Sequence, residues 1–466
     1  MKSKKILGIL GIIVPLLPVI MLTGCTETKN TQISILATTD LHGSVPYHMV
    51  EYINKEREKD PNITLVDAGD FADRDGDGQM EKYYQEIRNK SKKGYEDKYV
   101  EFPLANDMQA VGYDSVVLGN HEFISNNRFH LDNMISDFEK NDIDVLSANT
   151  YKENGESYTK PYTIKEIEVD GEVIKLGILG LTIKEVGEGT DMDENGDRAE
   201  AKSRELKDEP AYEGKLYMND LVEDAKKWVK IMEEKENTDI IVAVAHSGEE
   251  PKKPKHPGNR IQDLAQDVEG IDAIVAGHTH VAFEQHDYKN KSGEDVIVTQ
   301  PGKHGEHISK INFELKKENN EWKIENKYAK LTKFEEDKSD EYAGELMNEI
   351  SNIKSETREI GLSDITPFEY DKAYAFDVNT PISKIYDTVG YKFRSICEKE
   401  KESEMQMVFM KGDKVVCYLF GDTNAMPISI NFDKTSYKEG VIEINKNDKF
   451  NVEKGKEIFE THLTHI

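Results

Sequence analysis

Apolar runs that end in polar, reactive residues recur along the first two thirds of the chain. The run Ile240–Ala245 is apolar throughout, which is typical of a strand buried on both faces of a parallel sheet. Similar β-rich runs cover residues 33–38, 63–66, 115–118, 142–148, 173–181 and 272–276. Amphipathic segments at residues 47–58 and 219–236 predict helices. This alternation predicts an α/β fold with a parallel or mixed sheet and right-handed crossovers.

The pattern changes in the last third of the chain. The runs Ile311–Leu315 and Trp322–Tyr328, joined by polar residues, predict an antiparallel hairpin. A charged segment, Glu335–Asp340, marks a predicted boundary and leads into a predicted helix that ends at Arg358. Shorter β runs, such as Met407–Met410, then predict a smaller α+β domain. Four of its aromatic residues are candidates for ligand binding or for the core: Phe368, Tyr370, Tyr374 and Phe376.

The chain opens with a basic and then an apolar segment. The apolar stretch Ile6–Leu22 contains two prolines, which favours a signal sequence over a rigid membrane span. It ends in Leu22-Thr-Gly-Cys25, which resembles a bacterial lipobox, in which the cysteine is acylated and becomes the new N-terminus. An uncleaved anchor is the alternative. Both interpretations predict a chain outside the cytoplasmic membrane, and the first predicts a lipid anchor at Cys25.

The overall charge excludes some classes of partner. Lys and Arg number 61 against 90 Asp and Glu, a formal net charge of -29. Such a surface repels polyanions, so we expect no binding of nucleic-acid duplexes and no attraction to acidic lipid. A small phosphoester could bind where cations reverse the sign locally. Beyond Cys25 the chain has Cys397 and Cys417, which either form one bridge or remain free thiols.

Candidate metal ligands follow five of the predicted strands, at the strand ends where open α/β sheets bind ligands. One His after a buried strand is usually structural, whereas five strand ends that each carry Asp, Asn or His favour a metal site. Alternate residues of an extended segment share a face, so paired positions could reach one cation or two neighbouring ones. The candidates are Asp40, His42, Asp70, Asn120, His246, His278 and His280.

Seven ligands suit two divalent ions that share one carboxylate and keep positions open for water. Two such ions outweigh two aspartates and one hydroxide by a single positive charge, which would attract a phosphate to this acidic protein. Bound cations also lower the pKa of water enough to form a bridging hydroxide at neutral pH, and this hydroxide could attack phosphorus.

Five motifs resemble those of the calcineurin-like metallophosphoesterases, in the order found in that family. They are Thr39-Asp-Leu-His-Gly43, Asp67-Ala-Gly-Asp70, Gly119-Asn-His-Glu-Phe123, Ala245-His-Ser-Gly248 and Gly277-His-Thr-His280. The chain is most similar to the extracytoplasmic branch that holds 5'-nucleotidases and 2',3'-cyclic-nucleotide 2'-phosphodiesterase/3'-nucleotidases. The resemblance covers roughly residues 33–330 and implies a sandwich of two β-sheets flanked by helices.

The resemblance also implies a role for each motif residue. Asp40, His42, Asp70 and His280 would hold one metal, and Asp70, Asn120, His246 and His278 would hold the other, with both ions of the Mn, Zn, Fe or Co class. His121 would stabilise the transition state or protonate the leaving oxygen. The expected reaction is hydrolysis of nucleotide phosphoesters outside the membrane, mainly 2',3'-cyclic nucleotides and 3'-nucleotides.

The resemblance divides the chain into four predicted parts. These are a lipoprotein signal peptide (1–24), a tether (25–32), a dinuclear metallophosphoesterase domain (33–335) and a divergent C-terminal domain (336–466).

Two features depart from the family pattern. The 5'-nucleotidases have an Asp three residues after the histidine at 121, where this chain has Ile124, so His121 lacks its expected partner. The C-terminal region also lacks the aromatic signature with which the family stacks a nucleobase. Ile124 argues against a straightforward 5'-nucleotidase. The alternatives are a 5'-nucleotidase or nucleotide-sugar hydrolase, and a non-catalytic surface-binding lipoprotein on the same fold.

Two acidic loops, Asp73–Gly78 and Asp191–Gly196, match the first half of a calcium-binding loop. Neither has Glu at the twelfth loop position, which favours acidic loops without an ion and leaves calcium binding as the alternative. His304 and His307 follow a Pro-Gly turn and are predicted to be structural or to support the metal ligands.

Overall fold

Two six-stranded mixed sheets form the larger part of the molecule, as a computed structural model shows. The structure describes residues 30–466 except 75–77, 92–97, 170, 190–201, 251–257, 336–337, 394–395 and 456–459. Cys25 with the predicted signal peptide, the loop Asp191–Gly196 and part of the loop Asp73–Gly78 lie outside the described residues.

The strands of this part are β1 (Asn30–Thr38), β2 (Thr64–Asp67), β3 (Ser115–Val117), β4 (Asp144–Leu146), β5 (Thr150–Lys152), β6 (Tyr162–Val169), β7 (Glu172–Thr182), β8 (Glu185–Gly189), β9 (Lys202–Glu205), β10 (Leu216–Met218), β11 (Ile240–His246), β12 (Ala273–Ala276), β13 (Ala282–Lys289), β14 (Asp295–Pro301), β15 (His307–Glu318) and β16 (Glu321–Lys333). The helices are α1 (Tyr47–Lys59), α2 (Gly78–Ser91), α3 (Pro103–Val111), α4 (Asn120–Ile124), α5 (Arg128–Lys140), α6 (Leu221–Ile231) and α7 (Ile261–Asp267).

The two sheets pack face to face, with helices on their outer faces. The first has the order β16-β15-β1-β2-β3-β4 and the second β13-β14-β12-β11-β7-β6. Their shared core contains side chains from both inner faces, for example Ile35, Val66, Val117, Ile178, Val242 and Val275. Helices α1, α3 and α5 pack on the first sheet, and α6 and α7 on the second. The α/β sandwich predicted from the sequence is therefore confirmed, and strands covered on both faces explain the fully apolar runs.

The carboxyl ends of the parallel strands meet at one edge of the sandwich. Strands β1, β2 and β3 are parallel in the first sheet, and β7, β11 and β12 are parallel in the second. The carbonyl of Ala68, just after β2, lies 2.8 Å from Nδ1 of His246 at the end of β11. The two rows of strand ends are thus in direct contact, which brings the candidate ligands together.

Several predicted boundaries differ from the structure. Strand β1 begins at Asn30, so residues 30–32 of the predicted tether pair with β15. The strand predicted over residues 142–148 is confined to β4, Asp144–Leu146. The hairpin is longer than predicted because pairing continues from His307↔Lys333 to Glu318↔Glu321.

The C-terminal part contains α8 (Ser339–Ser351), β17 (Glu359–Gly361), α9 (Leu362–Ile365), β18 (Lys372–Phe376), α10 (Ile382–Val389), β19 (Glu404–Lys411), β20 (Lys414–Asp422), β21 (Ile428–Asn431), β22 (Val441–Asn445), β23 (Lys449–Lys454) and β24 (Thr461–His465). They form two four-stranded sheets, β17-β23-β24-β21 and β20-β19-β18-β22. The helix predicted to end at Arg358 ends at Ser351. The next residues turn, so that the Arg358 carbonyl accepts a hydrogen bond from Val452 N.

This β-rich part has its own apolar core. The four aromatic candidates are all buried in this core, so they are core residues and not ligand-binding residues: Phe368, Tyr370, Tyr374 and Phe376. Cys397 and Cys417 are not joined by a disulfide. The ring of Tyr391 stacks on Tyr47 of α1, with centroids 3.7 Å apart, and Lys392 pairs with Asp107.

In the described parts of the chain, no helix is long and apolar enough to cross a membrane.

Candidate metal centre

Left-handed backbone turns shape the loops that carry the candidate ligands. Asp40 N donates a hydrogen bond to Gly69 O and His42 N to Asp70 O, both at 2.9 Å, so the loops after β1 and β2 run side by side. From the sequence, the alternating ligand residues of these loops were expected to lie on extended segments. That expectation is wrong, because the backbone at these residues is not extended. They have positive φ angles instead, a conformation that costs a non-glycine residue about 1–3 kcal/mol and clusters at functional sites. These residues are Asp40 (φ 50°), His42 (50°), Asp70 (54°), His278 (70°) and His280 (58°).

Two glycines allow the loops to pack closely. Gly69 has φ +94°, and a Cβ there would lie 2.8 Å from Nδ1 of His246. Gly119 has a φ of -95°, which suits any residue, so its backbone conformation does not require glycine. A Cβ at Gly119 would instead collide with the backbone and carboxylate of Asp70. Glycine is therefore required at 119 by the close approach of the β2 loop.

Asp40, His42 and His280 form the first ligand group. Oδ1 of Asp40 lies 3.3 Å from Nε2 of His280 and 4.0 Å from Nε2 of His42, and the two Nε2 atoms are 3.1 Å apart. The other carboxylate oxygen of Asp40 accepts from Thr39 Oγ1 at 2.6 Å and from His278 N at 3.0 Å. Oδ1 itself is buried and has no hydrogen bond to any described residue.

Asp70, His246 and His278 form the second group. Nε2 of His246 lies 3.0 Å from Oδ2 of Asp70 and 3.0 Å from Oδ1 of Asn120, and Nδ1 of His278 lies 2.9 Å from that same Asn120 oxygen. The Ala68 carbonyl can only accept, so Nδ1 of His246 must be the donor in their contact. That hydrogen bond leaves Nε2 facing the centre of the group.

The buried charges of this group shift one another's pKa values. Burial lowers the pKa of His246, but the Asp70 carboxylate outweighs it and raises that pKa to about 10. Burial raises the pKa of Asp70, yet His246 outweighs it and holds the pKa well below its usual range. Asp67, where β2 ends, has its pKa raised to about 7 by burial.

A buried glutamate supports the backbone around Asp70. The Glu122 carboxylate accepts hydrogen bonds from the N–H groups of Asp70 (3.0 Å), Ala72 (2.9 Å) and Gly119 (2.7 Å). Burial, together with the nearby Asp70 charge, raises the pKa of Glu122. Glu122 therefore joins the β2 and β3 loops and fixes their spacing.

His121 lies beside both groups on the short helix α4. Its side chain is 28% exposed, and its Nε2 is 3.9 Å from Oδ2 of Asp70. On its other side, Nδ1 lies 3.1 Å from Oδ2 of Asp73. Burial lowers the pKa of His121, but the contact with Asp73 and the charge of Asp70 outweigh it and raise that pKa to about 9.

Each of the two groups offers nitrogen and carboxylate oxygen atoms close enough together that they could hold a metal ion. Ligand atoms about 2.1 Å from a tetrahedral ion are about 3.4 Å apart, close to the 3.1, 3.3 and 4.0 Å of the first group. Nitrogen and carboxylate oxygen donors suit zinc and related transition metals. The Asp40 oxygen without a hydrogen bond would gain a partner in such an ion.

Comparison with known families decides the classification. The sequence profile of the family described as "Calcineurin-like phosphoesterase" matches residues 33–282. The chain belongs to the calcineurin-like phosphoesterase family. The matched residues contain every candidate ligand, so the site lies within the part that defines the family.

Curated relatives of this calcineurin-like phosphoesterase act on nucleotides, as their names state. The trifunctional nucleotide phosphoesterase protein YfkN of Bacillus subtilis is 28% identical over 331 residues, which is 64% of this chain and 20% of that protein. A 2',3'-cyclic-nucleotide 2'-phosphodiesterase/3'-nucleotidase of Yersinia enterocolitica is 25% identical over 333 residues, which is 65% of this chain and 46% of that protein. The matches thus span less than half of these relatives.

A solved structure shares the fold of this calcineurin-like phosphoesterase. The crystal structure of the Bacillus subtilis calcineurin-like phosphoesterase YfkN has 26% sequence identity and a TM-score of 0.51, covering 66% of this chain and 91% of that one.

The structure adds residues that the sequence patterns did not single out as parts of the site. Asp73, assigned to a calcium-loop pattern, faces His42 and His121, and its position three residues after Asp70 was the available signal. His304 N donates to Asp40 O at 2.8 Å, and the ring centroids of His304 and His42 are 5.5 Å apart. His304 therefore lies at the edge of the first group.

Proposed function

We propose that this chain is a metal-dependent phosphoesterase that hydrolyses nucleotide phosphoesters outside the cytoplasmic membrane. Its substrates are 2',3'-cyclic nucleotides and 3'-nucleotides. The observation that carries this proposal is the convergence of two ligand groups at one edge of the sandwich, with Asn120 between His246 and His278 and with His121 beside Asp70. The names of the relatives from Bacillus subtilis and Yersinia enterocolitica support the substrate class.

In this proposal Asp40, His42, Asp70 and His280 hold one ion of the Mn, Zn, Fe or Co class, and Asp70, Asn120, His246 and His278 hold the other. Such ions supply an activated water and offset the negative charge of the phosphoryl group. Hydrogen bonds from the protein orient these ligands. The Ala68 carbonyl accepts from Nδ1 of His246, and the backbone N–H of His121 donates to Oδ1 of Asp70, both at 2.8 Å.

His121 acts on the oxygen that leaves phosphorus. In the metal-free chain, burial lowers the pKa of His121, but Asp73 and Asp70 outweigh it and raise that pKa to about 9, and the acid in the proposed reaction is the protonated ring. Nε2 can donate this proton to the ribose oxygen as the P–O bond breaks, and solvent can return it afterwards. The partly exposed ring is open to substrate, while its other nitrogen faces Asp73.

A panel of phosphoesters tests the proposal. Purified chain with manganese or zinc should release phosphate from 3'-nucleotides and open 2',3'-cyclic nucleotides. Asp70→Ala and His121→Ala should abolish or greatly slow both reactions, and unchanged turnover in these variants would contradict the site assignment. Release of phosphate from 5'-nucleotides alone, or cleavage of nucleotide sugars, would favour those alternatives. Metal binding without any turnover would favour a surface-binding lipoprotein.

The proposal includes the arrangement of the whole chain. Residues 1–24 are a signal peptide, Cys25 carries the lipid and begins a tether that ends before β1 at Asn30, and the two domains meet at residues 335–336. Labelling with a palmitate analogue in a bacterial host should mark the wild type and leave Cys25→Ser unmarked. Calcium binding at Asp73–Gly78 or Asp191–Gly196 stays a prediction, which isothermal titration at millimolar calcium tests.

A further inference from the structure

One carboxylate oxygen lies between two histidines of the site. Oδ2 of Asp73 is 3.1 Å from Nδ1 of His121 and 3.3 Å from Nδ1 of His42. The rings of His42 and His121 are in edge-to-face contact, with centroids 4.9 Å apart and an interplanar angle of 85°. The Asp73 side chain is 19% exposed, so water only partly screens this contact.

The two Nδ1 atoms have no other acceptor in the part of the chain that the structure describes. Both are buried and make no hydrogen bond to any described residue, so the contacts with Asp73 at 3.1 and 3.3 Å are ion-pair contacts. A carboxylate at ion-pair distance is thus the group that can accept a proton from each of them. Such a contact selects the tautomer with hydrogen on Nδ1 and leaves Nε2 for the reaction or the metal.

The other nitrogens of these rings face the reaction centre. Nε2 of His42 points to Asp40 and His280, and Nε2 of His121 points to Asp70. The position three residues after His121, where a carboxylate was expected, is Ile124. Ile124 cannot accept a proton, so the carboxylate that orients His121 must come from another loop.

We propose that Asp73 is the positioning residue of His121, and that the same carboxylate holds His42 in the orientation that ligates the first metal. This inference rests on the proposed function for its catalytic meaning. During turnover His121 Nε2 gives its proton to the leaving oxygen, and Asp73 stays ionised and keeps Nδ1–H in place. No proton passes to Asp73, so the charge on its carboxylate is unchanged through the cycle.

The kinetic test compares leaving groups. Asp73→Asn should lower kcat about 10–100-fold for a 3'-nucleotide, whose ribose oxygen needs a proton to leave. The loss should be much smaller for a p-nitrophenyl phosphoester, because p-nitrophenolate leaves without protonation. In a His121→Ala background Asp73→Asn should cost little more, since the residue that it positions is gone. The matched control is Asp295→Asn, an aspartate 61% exposed and paired with Lys289, which should keep wild-type kcat.

A second readout needs neither metal nor turnover. Nitrogen-15 NMR of histidine-labelled, metal-free protein should show two rings with hydrogen held on Nδ1 that change in Asp73→Asn and not in Asp295→Asn. Asp73→Glu, which keeps the acceptor, should recover part of the kinetic loss.

Three results would overturn the inference. One is an unchanged leaving-group ratio in Asp73→Asn, and another is unchanged histidine signals. The third is an equal loss for both leaving groups together with loss of one bound metal, which would make Asp73 a direct ligand. If the wild type itself hydrolysed no phosphoester of the panel, the proposed function would fail, while the NMR experiment would still test the contact.

Discussion

Asp70 is the residue that we propose as the bridge between the two metals. It lies buried, 3.0 Å from His246 and 3.9 Å from His121, and its backbone N–H is held by Glu122. Its left-handed backbone conformation is held by the neighbouring loops, since His42 N donates to its carbonyl. A carboxylate in this position can serve two ions at once.

We therefore expect Asp70→Ala to lose both metals and His280→Ala to lose one. Turnover in Asp70→Ala should fall further than the about 10–100-fold caused by removing a group that only supports a ligand. Metal content per chain, measured by mass spectrometry, checks the difference. His286→Ala is the control, because His286 is 49% exposed and pairs with Glu249. Equal metal loss in Asp70→Ala and His280→Ala would contradict the bridging role.

The Asp70–His246 pair also predicts a pH dependence of the metal-free protein. The pKa of His246 is raised from 6.5 to about 10, so its protonation stabilises the fold fully just below pH 6.5, where Asp70 is still ionised, and this effect is lost as pH rises towards 10. The unfolding temperature of EDTA-treated protein should fall over this window. His246→Gln should flatten the slope, whereas His286→Gln should keep it. A slope that is the same in His246→Gln would exclude this pair as its cause.

The loop between β2 and α2 shows how the elements build the site. Its first residues pair with the loop after β1, and Gly69 lies against Gly119 and His246. Strand ends alone would leave these side chains apart, because the strands belong to two different sheets. Close backbone packing at the two glycines closes that distance.

Gly69→Ala should therefore destabilise the protein more than its φ angle alone explains. Left-handed alanine costs about 1–2 kcal/mol, and overpacking adds about 1–3 kcal/mol. Gly293→Ala is the matched control, with φ +83° and nothing within 4 Å of a Cβ. Urea unfolding should give a loss of about 2–5 kcal/mol for Gly69→Ala and about 1–2 kcal/mol for Gly293→Ala. Equal losses would show that the close approach is relieved without cost.

At the scale of the whole molecule, the two parts of the chain touch through a few defined contacts. Tyr47 begins α1 and stacks on Tyr391, with an angle of 24° between the rings. The hydroxyl of Tyr391 in turn accepts a hydrogen bond from Val415 N at 2.8 Å. This chain of contacts links the helix after the first ligand loop to a strand of the C-terminal part.

Tyr47→Ala should loosen that link, because a stacked aromatic pair contributes about 0.5–1.5 kcal/mol beyond its buried area. Hydrogen exchange at the Val415 amide should become faster in the variant. Tyr217→Ala is the control, since it removes a stack with Tyr151 that lies wholly within residues 30–335. Exchange at Val415 that responds equally to both variants would rule out a local effect of Tyr47.

The strands that carry the candidate ligands, and the residues at their ends, were predictable from the sequence. Apolar runs, helical periodicity and the five motifs depend on neighbouring residues, so they can be read along the chain. They led to the α/β sandwich, which is confirmed, and to seven candidate ligands that the structure brings together in two adjoining groups. The shorter β4 and the earlier end of α8 were not predictable, because pairing and packing set those limits.

The tertiary structure alone decided which side chains meet. His42 and His280 are 238 positions apart, and only the packing of two sheets brings them to 3.1 Å. The same packing explains why Gly119 is needed for space, and not for a turn, and why Asp73 faces His121 where Ile124 cannot. Sequence spacing determines which face of an element a residue occupies. Contacts between loops on different sheets depend on distances that no local pattern encodes, so they became visible only in the folded chain.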